Sequence, residues 1–159
     1  MAQARQPAEG PKSGGSGAAL WRAANLWRRR QRAALKGASL TPSQFLLLQG
    51  LAERGDRQVV TQAALAQHCG ADVMMTSQLV RQLERLGLVR RDAHPSDSRA
   101  MAIGLTDRGR QRLHRAAPAM AAAERAFFGA LGADAEAFAG ALRLLGGEKP
   151  RRRVGAGTR

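Results

Sequence analysis

The 159-residue chain is long enough for one domain with a sizeable core and too short for two catalytic lobes. Its 26 Lys and Arg, 23 of them Arg, against 12 Asp and Glu leave a formal net charge of +14, which points to a polyanionic partner, although abundant Ala, Gly and Arg with little Lys is also the mark of GC-rich codon usage. No apolar run reaches the length of about 18 residues that a membrane-spanning helix needs, and the lone Cys69 excludes an internal disulfide and fits a reducing, cytoplasmic compartment.

Residues 1–17, MAQARQPAEGPKSGGSG, lack an apolar stretch and read as a disordered tail that is neither signal peptide nor anchor. They carry one net positive charge and residues 148–159 carry four, so nine remain on the segment between. The charge is therefore not confined to the ends. Residues 18–35 place Leu20, Ala24, Trp27, Gln31 and Ala34 at helical spacing, with Arg22, Arg28, Arg29, Arg30 and Arg32 off that stripe. In LTPSQFLLLQGLAERG, Thr41 is placed to cap a helix, Pro42 suits its first position, Gln44 completes a capping box and Gly55 ends it.

Gln58-Val59-Val60 is long enough only for a small strand. Thr61 caps a short helix that Gly70 stops, and Asp72 opens the next one at once, so the two helices have the shape of a helix-turn-helix. On a helical wheel centred on Leu83, Val73, Met75, Thr76, Leu79, Val80 and Leu86 share one predicted buried stripe. Met74, Gln78, Arg81 and Arg85 fall opposite, flanked by Ser77 and Gln82. An ordinary solvated face would look the same, but this helix follows a tight turn and precedes a hairpin.

Gly87 ends that helix, and residues 88–94 and 100–106 form two strands around the loop Pro95-Ser96-Asp97-Ser98, with Met101, Ile103 and Leu105 alternating toward a buried face. A hairpin in this position is a wing. Thr106 caps an Ala-rich helix running to about Leu131, in which Leu113, Ala117, Met120, Phe127 and Phe128 are the larger apolar residues and Pro118 is expected to introduce a kink. Asp134 opens a last helix with Phe138, Leu142 and Leu145 on one face, before a basic disordered tail over 147–159.

Taken in order, Leu65-Ala66, Leu83-Glu84, Gly87-Leu88-Val89, Arg91, Asp97-x-Arg99, Leu105-Thr106 and Gly109 resemble the MarR family, the multiple-antibiotic-resistance-type regulators of bacteria, over roughly residues 18–146. The resemblance implies a mainly α fold with a small β-wing. In it a winged helix-turn-helix lobe (about 40–106) is joined to N- and C-terminal dimerisation helices (about 18–36 and 107–146). It also implies a homodimeric transcriptional regulator, expected to be a repressor, that binds a pseudo-palindromic operator in double-stranded DNA. Many members release DNA on binding small phenolic or aromatic molecules.

Carried onto this chain, the recognition helix corresponds to Asp72 to Leu86, and its N-terminal half would enter the major groove. The wheel nominates Ser77, Gln78 and Arg81 as base readers, because Gln pairs bidentately with adenine and Arg with guanine. Met74 is placed to touch a thymine methyl or merely to fill space, and Thr76 belongs to the buried stripe. By the family pattern Arg99, with Ser98 beside it, projects from the wing tip into the minor groove, and Asp97 pairs with that Arg and orients it. The alternative is a plain Asp/Ser turn with a solvated Arg. Thr61 and Gln62 offer backbone N–H groups to phosphate, and Arg90 and Arg91 are phosphate candidates at the wing base. The basic first helix is open to three readings: solvated, reaching flanking phosphates, or facing acidic residues of a partner subunit.

An effector cleft between dimer helices and lobe would draw on Trp21, Trp27, Phe45, His114 and Met120, for each of which core packing is the competing role. The family's hydroperoxide-sensing branch uses an N-terminal Cys that this chain lacks. Cys69 is expected to pack as a small apolar residue against the recognition helix, with His68 exposed beside it. His68, His94 and His114 lie on separate elements without metal-ligand spacing, and neither a phosphate loop nor a nucleophile motif is present, so neither a metal, a cofactor nor an enzyme activity is expected. The competing class is a winged-helix module for protein interaction or RNA binding without operator specificity, which would show exposed apolar residues on the recognition helix.

Overall fold

The computed structural model describes residues 14–55, 59–97 and 99–147. Gln58, Ser98 and most of both expected tails lie outside the described residues. Among the described residues six α-helices and one hairpin follow in chain order: α1 (Ser16–Leu35), α2 (Pro42–Arg54), α3 (Gln62–His68), α4 (Val73–Arg85), β1 (Val89–Ala93), β2 (Met101–Leu105), α5 (Asp107–Phe128) and α6 (Ala135–Leu145). Short 3-10 turns, Lys36–Ala38 and Gly129–Asp134, join α1 to α2 and α5 to α6.

Side-chain caps define the starts of the helices in the lobe. Thr41 Oγ1 accepts from the Gln44 N–H at 3.2 Å while Gln44 Oε1 accepts from the Thr41 N–H at 3.0 Å, a reciprocal box with Pro42 in the first turn. Thr61 Oγ1 accepts from Ala64 and Asp72 Oδ1 from Met75, which opens α3 and α4. α4 stops at Gly87, whose φ of 68° is cheap only for glycine, so that the Leu88 N–H turns back to the Leu83 carbonyl at 2.9 Å.

The hairpin is antiparallel, with Val89 opposite Leu105 and Ala93 opposite Met101. Val60 adds a single bridge to it, because Ile103 N–H donates to the Val60 carbonyl at 2.8 Å. Thr106 then fastens the far end of the wing to the end of α4: its hydroxyl donates to the Gly87 carbonyl at 2.7 Å and accepts from the Gly109 N–H at 3.0 Å. Gly109 is required at this crossing, since a Cβ there would collide with the Leu88 carbonyl.

The core gathers Leu48, Leu65, Val80, Leu83, Leu88 and Leu105, with Leu35 from the end of α1 and Met120 from α5 closing it. Each such side chain contributes about 1.5–3 kcal/mol by leaving water. Around Trp27, Phe127 and Phe128 a second, aromatic cluster binds α1 to α5, with ring centroids 5.2 and 5.3 Å from the indole.

Several boundaries and faces differ from the sequence-based expectation. α1 begins at Ser16, two residues inside the expected tail, and α5 ends at Phe128 rather than near Leu131 because the chain tightens into a 3-10 turn. Asp134 precedes α6 without a side-chain cap bond. Of the alanines of α5, Ala116 is the buried one. In α4 only Thr76, Val80 and Leu83 are buried; Val73, Met75 and Leu86, expected in the same stripe, lie about 60–80° round the helix from Leu83 and are exposed.

Candidate nucleic-acid interface

A helix that packs one stripe against a core presents the other to whatever lies outside, and α4 is polarised in this way. Thr76, Val80 and Leu83 are at 0 % exposure. Met74, Gln78, Arg81 and Arg85, spaced i, i+4, i+7 and i+11, are exposed. Asp72 caps the helix by its carboxylate, so the first turn carries an anion at its positive end and is held firmly in register.

Ser77 lies between the two faces and is not a free hydroxyl. It accepts from Arg81 Nη2 at 2.9 Å and from Gln62 Nε2 at 3.4 Å, which links the start of α3 to the first half of α4. Thr61, Gln62, Ser77 and Arg81 are thereby brought to one edge of the helix-turn-helix. Thr61's own hydroxyl is used in capping.

The wing residues are positioned differently from the family pattern. Asp97 Oδ1 accepts from the backbone N–H of Arg99 at 3.0 Å, and Ala100 N–H donates to the Asp97 carbonyl, so the carboxylate builds the turn. Among the described residues Asp97 bonds to Arg99 through its backbone N–H and forms no ion pair with the guanidinium. Arg99 is left exposed at the tip.

Arg90 and Arg91 are engaged within the chain. Arg90 Nε meets Asp92 Oδ2 at 2.9 Å on the exposed side of β1, where such a pair exchanges easily with water or a competing anion. Arg91 Nη1 meets Glu84 Oε2 at 3.3 Å, a contact that links the wing to α4. Sequence reasoning missed this brace and the Gln62–Ser77 link, because both need partners that only the tertiary fold brings close.

Cys69 packs against the core cluster that includes Val80 and Leu83 of α4, and its thiol donates to the Leu46 carbonyl of α2 at 3.7 Å. Burial first and the Glu53 carboxylate second push its pKa up, against an opposite pull from Arg54, which disfavours the reactive thiolate. His68 is exposed and its ring meets Glu53 at 2.9 Å. Of the expected cleft residues, Phe45 and Met120 are core, Trp27 is stacked and Trp21 is 69 % exposed. A cleft of about 780 Å³ between α1, α5 and α6 is lined instead by Leu26, Arg30, Ala34, Phe127, Phe128 and Phe138.

Two side-chain-capped helices set in a tight turn, followed by a hairpin stapled to the second, define a winged helix-turn-helix protein. Residues 40–101 match the model of the MarR family. The chain is 35% identical over 112 residues to the uncharacterized HTH-type transcriptional regulator YdcH of Bacillus subtilis, covering 70% of this chain and 76% of that one. Among solved structures it is similar to the transcriptional repressor CouR bound to a 23-mer DNA duplex, at 30% identity and a TM-score of 0.74 over 82% of this chain and 91% of that chain. It is also similar to CouR from Rhodococcus jostii RHA1 bound to p-coumaroyl-CoA, at 25% identity and a TM-score of 0.75 over 88% and 97%. The chain belongs to the MarR family of transcriptional regulators. These relatives are regulators, not enzymes. Among the described residues no helix is long and apolar enough to cross a membrane.

Proposed function

We propose that the protein is a homodimeric repressor that binds a pseudo-palindromic operator, with α4 in the major groove and the wing in the adjacent minor groove. The observation that carries this reading is the polarity of α4: an inner face at zero exposure and an outer face of Met74, Gln78 and Arg81 behind a capped N-terminus. Gln78 and Arg81 read base edges, with Ser77 holding Arg81 in line. Arg99, with Ser98 beside it, enters the minor groove at a tip whose backbone Asp97 fixes. Thr61 and Gln62 meet phosphate at the start of α3. Arg90, on the exposed side of the wing, exchanges Asp92 for phosphate, while Arg91 keeps the wing in place.

The dimer reading is supported by α6, which has no buried residue although Phe138, Leu142, Leu144 and Leu145 all lie on it. A helix this apolar is stabilised only when something covers it. The p-coumaroyl-CoA-bound relative and the cleft beside Arg30 support release by a small aromatic ligand. The competing reading, a protein-interaction or RNA-binding module, draws on the exposed Val73, Met74 and Met75.

Selection of duplexes from a random pool, followed by footprinting, tests the proposal. Two protected half-sites about one helical turn apart are expected. A reporter placed behind that duplex is expected to fall silent when the protein is expressed, and to recover with a phenolic ligand. A single unpaired half-site contradicts the symmetry, and RNA that displaces the duplex favours the competing reading.

A further inference from the structure

The first turn of α4 holds three consecutive apolar side chains, Val73, Met74 and Met75, that are 53 %, 74 % and 44 % exposed. At 100° per residue they sweep about 200° of that turn, so apolar surface covers its outer side and both flanks. Core packing does not account for them, since α4 is anchored by Thr76, Val80 and Leu83. Nor do they form an isolated greasy patch: Met74 continues directly into Gln78, Arg81 and Arg85 on the same face. The face is apolar for one turn and then polar and cationic, an order that suits a groove floor flanked by phosphates.

Duplex DNA offers a surface of the matching kind. Its phosphates attract the cationic turns, and its major groove carries one apolar group, the 5-methyl of thymine, which is read by apolar contact. The N-terminal residues of a recognition helix are those that reach base edges. Methionine suits the task because an unbranched, polarisable chain adapts to a methyl group without a fixed rotamer.

We infer that Val73, Met74 and Met75 form a methyl-reading turn, so that the operator half-site is specified at these positions by thymine 5-methyl groups, with Gln78 and Arg81 adding hydrogen-bonded readout one and two turns further on. The inference rests on the DNA-binding reading proposed above. It also follows that 5-methylcytosine, which places the same methyl at the same groove position, substitutes for thymine there better than cytosine does.

The test uses the full chain and the best duplex recovered from a random pool. Each thymine of a half-site is replaced singly by deoxyuridine, which deletes the methyl and nothing else. At one to three adjacent positions the affinity is expected to fall about fourfold, the equivalent of about 0.8 kcal/mol for one buried carbon. In Met74→Gln, a change at an exposed side chain, the loss on uracil substitution at the central position is expected to disappear. Equal binding of thymine and uracil duplexes at every position, with the duplex still preferred over random competitor, overturns the methyl-reading turn and leaves operator binding standing. A Met74→Gln variant that weakens both duplexes equally also overturns it. Failure to recover any preferred duplex overturns both.

Discussion

Leu48, Leu65, Val80 and Leu83 in the lobe are at 0 % exposure, whereas Leu20 and Leu26 on α1 and Leu144 and Leu145 on α6 stand between 42 % and 78 % exposed. The same kind of side chain thus has opposite surroundings at the two ends of one molecule. The lobe closes its core with its own chain: caps fix the helices, and Thr106 and Gly109 draw the wing and α5 together. The outer helices share a chain-internal aromatic cluster but leave the apolar face of α6 open. Apolar surface left in water contributes nothing to stability, so the lobe buries its apolar side chains within one chain while α6 does not, which is the contrast on which the proposed dimer rests.

The sharpest way to break this comparison is a pair of leucine substitutions. Leu83→Ala empties a site at zero exposure and is expected to lower the free energy of unfolding by about 3 kcal/mol in urea denaturation. Leu142→Asp, on the open face of α6, is expected instead to convert a species of dimer mass to monomer on sedimentation. Unchanged mass in Leu142→Asp means that α6 is not an interface.

Within the lobe the contrast is between side chains held and side chains offered. Arg99→Ala is expected to cost about 1–3 kcal/mol of operator affinity and to leave the melting temperature unchanged, since Arg99 is exposed. An equal loss of stability makes it structural. A smaller effect of opposite sign is expected on the inner face: Thr76 is at 0 % exposure and its hydroxyl has no partner among the described residues. Thr76→Val removes that unsatisfied group at constant shape, raising stability by about 1 kcal/mol without altering DNA preference.

What was legible in the sequence was what depends on near neighbours. Thr41 with Gln44, Thr61, Asp72 and Thr106 announce helix starts because their partners lie three residues on. The wheel placed Thr76 inside correctly, and its outer face of Met74, Gln78, Arg81 and Arg85 is exposed. It failed for Val73, Met75 and Leu86, which lie toward the margins of the stripe, about 60–80° from Leu83, where angle alone does not fix burial. Arg91 with Glu84 and Cys69 with Leu46 were illegible for a different reason: their spacing along the chain, seven and 23 residues, carries no local signal. Asp97 bonds to the Arg99 amide, a contact that the spacing of two residues allows but that does not by itself say which group of Arg99 is held.

The central claim, that the outer face of α4 reads bases, is tested most directly by competition binding at moderate ionic strength between a selected duplex and a scrambled duplex of equal length. A preference of about 10³ or more for the selected duplex, lost in a Gln78→Ala, Arg81→Ala double variant that still binds the scrambled one, is the predicted result. Equal affinity of the unaltered protein for both duplexes contradicts it.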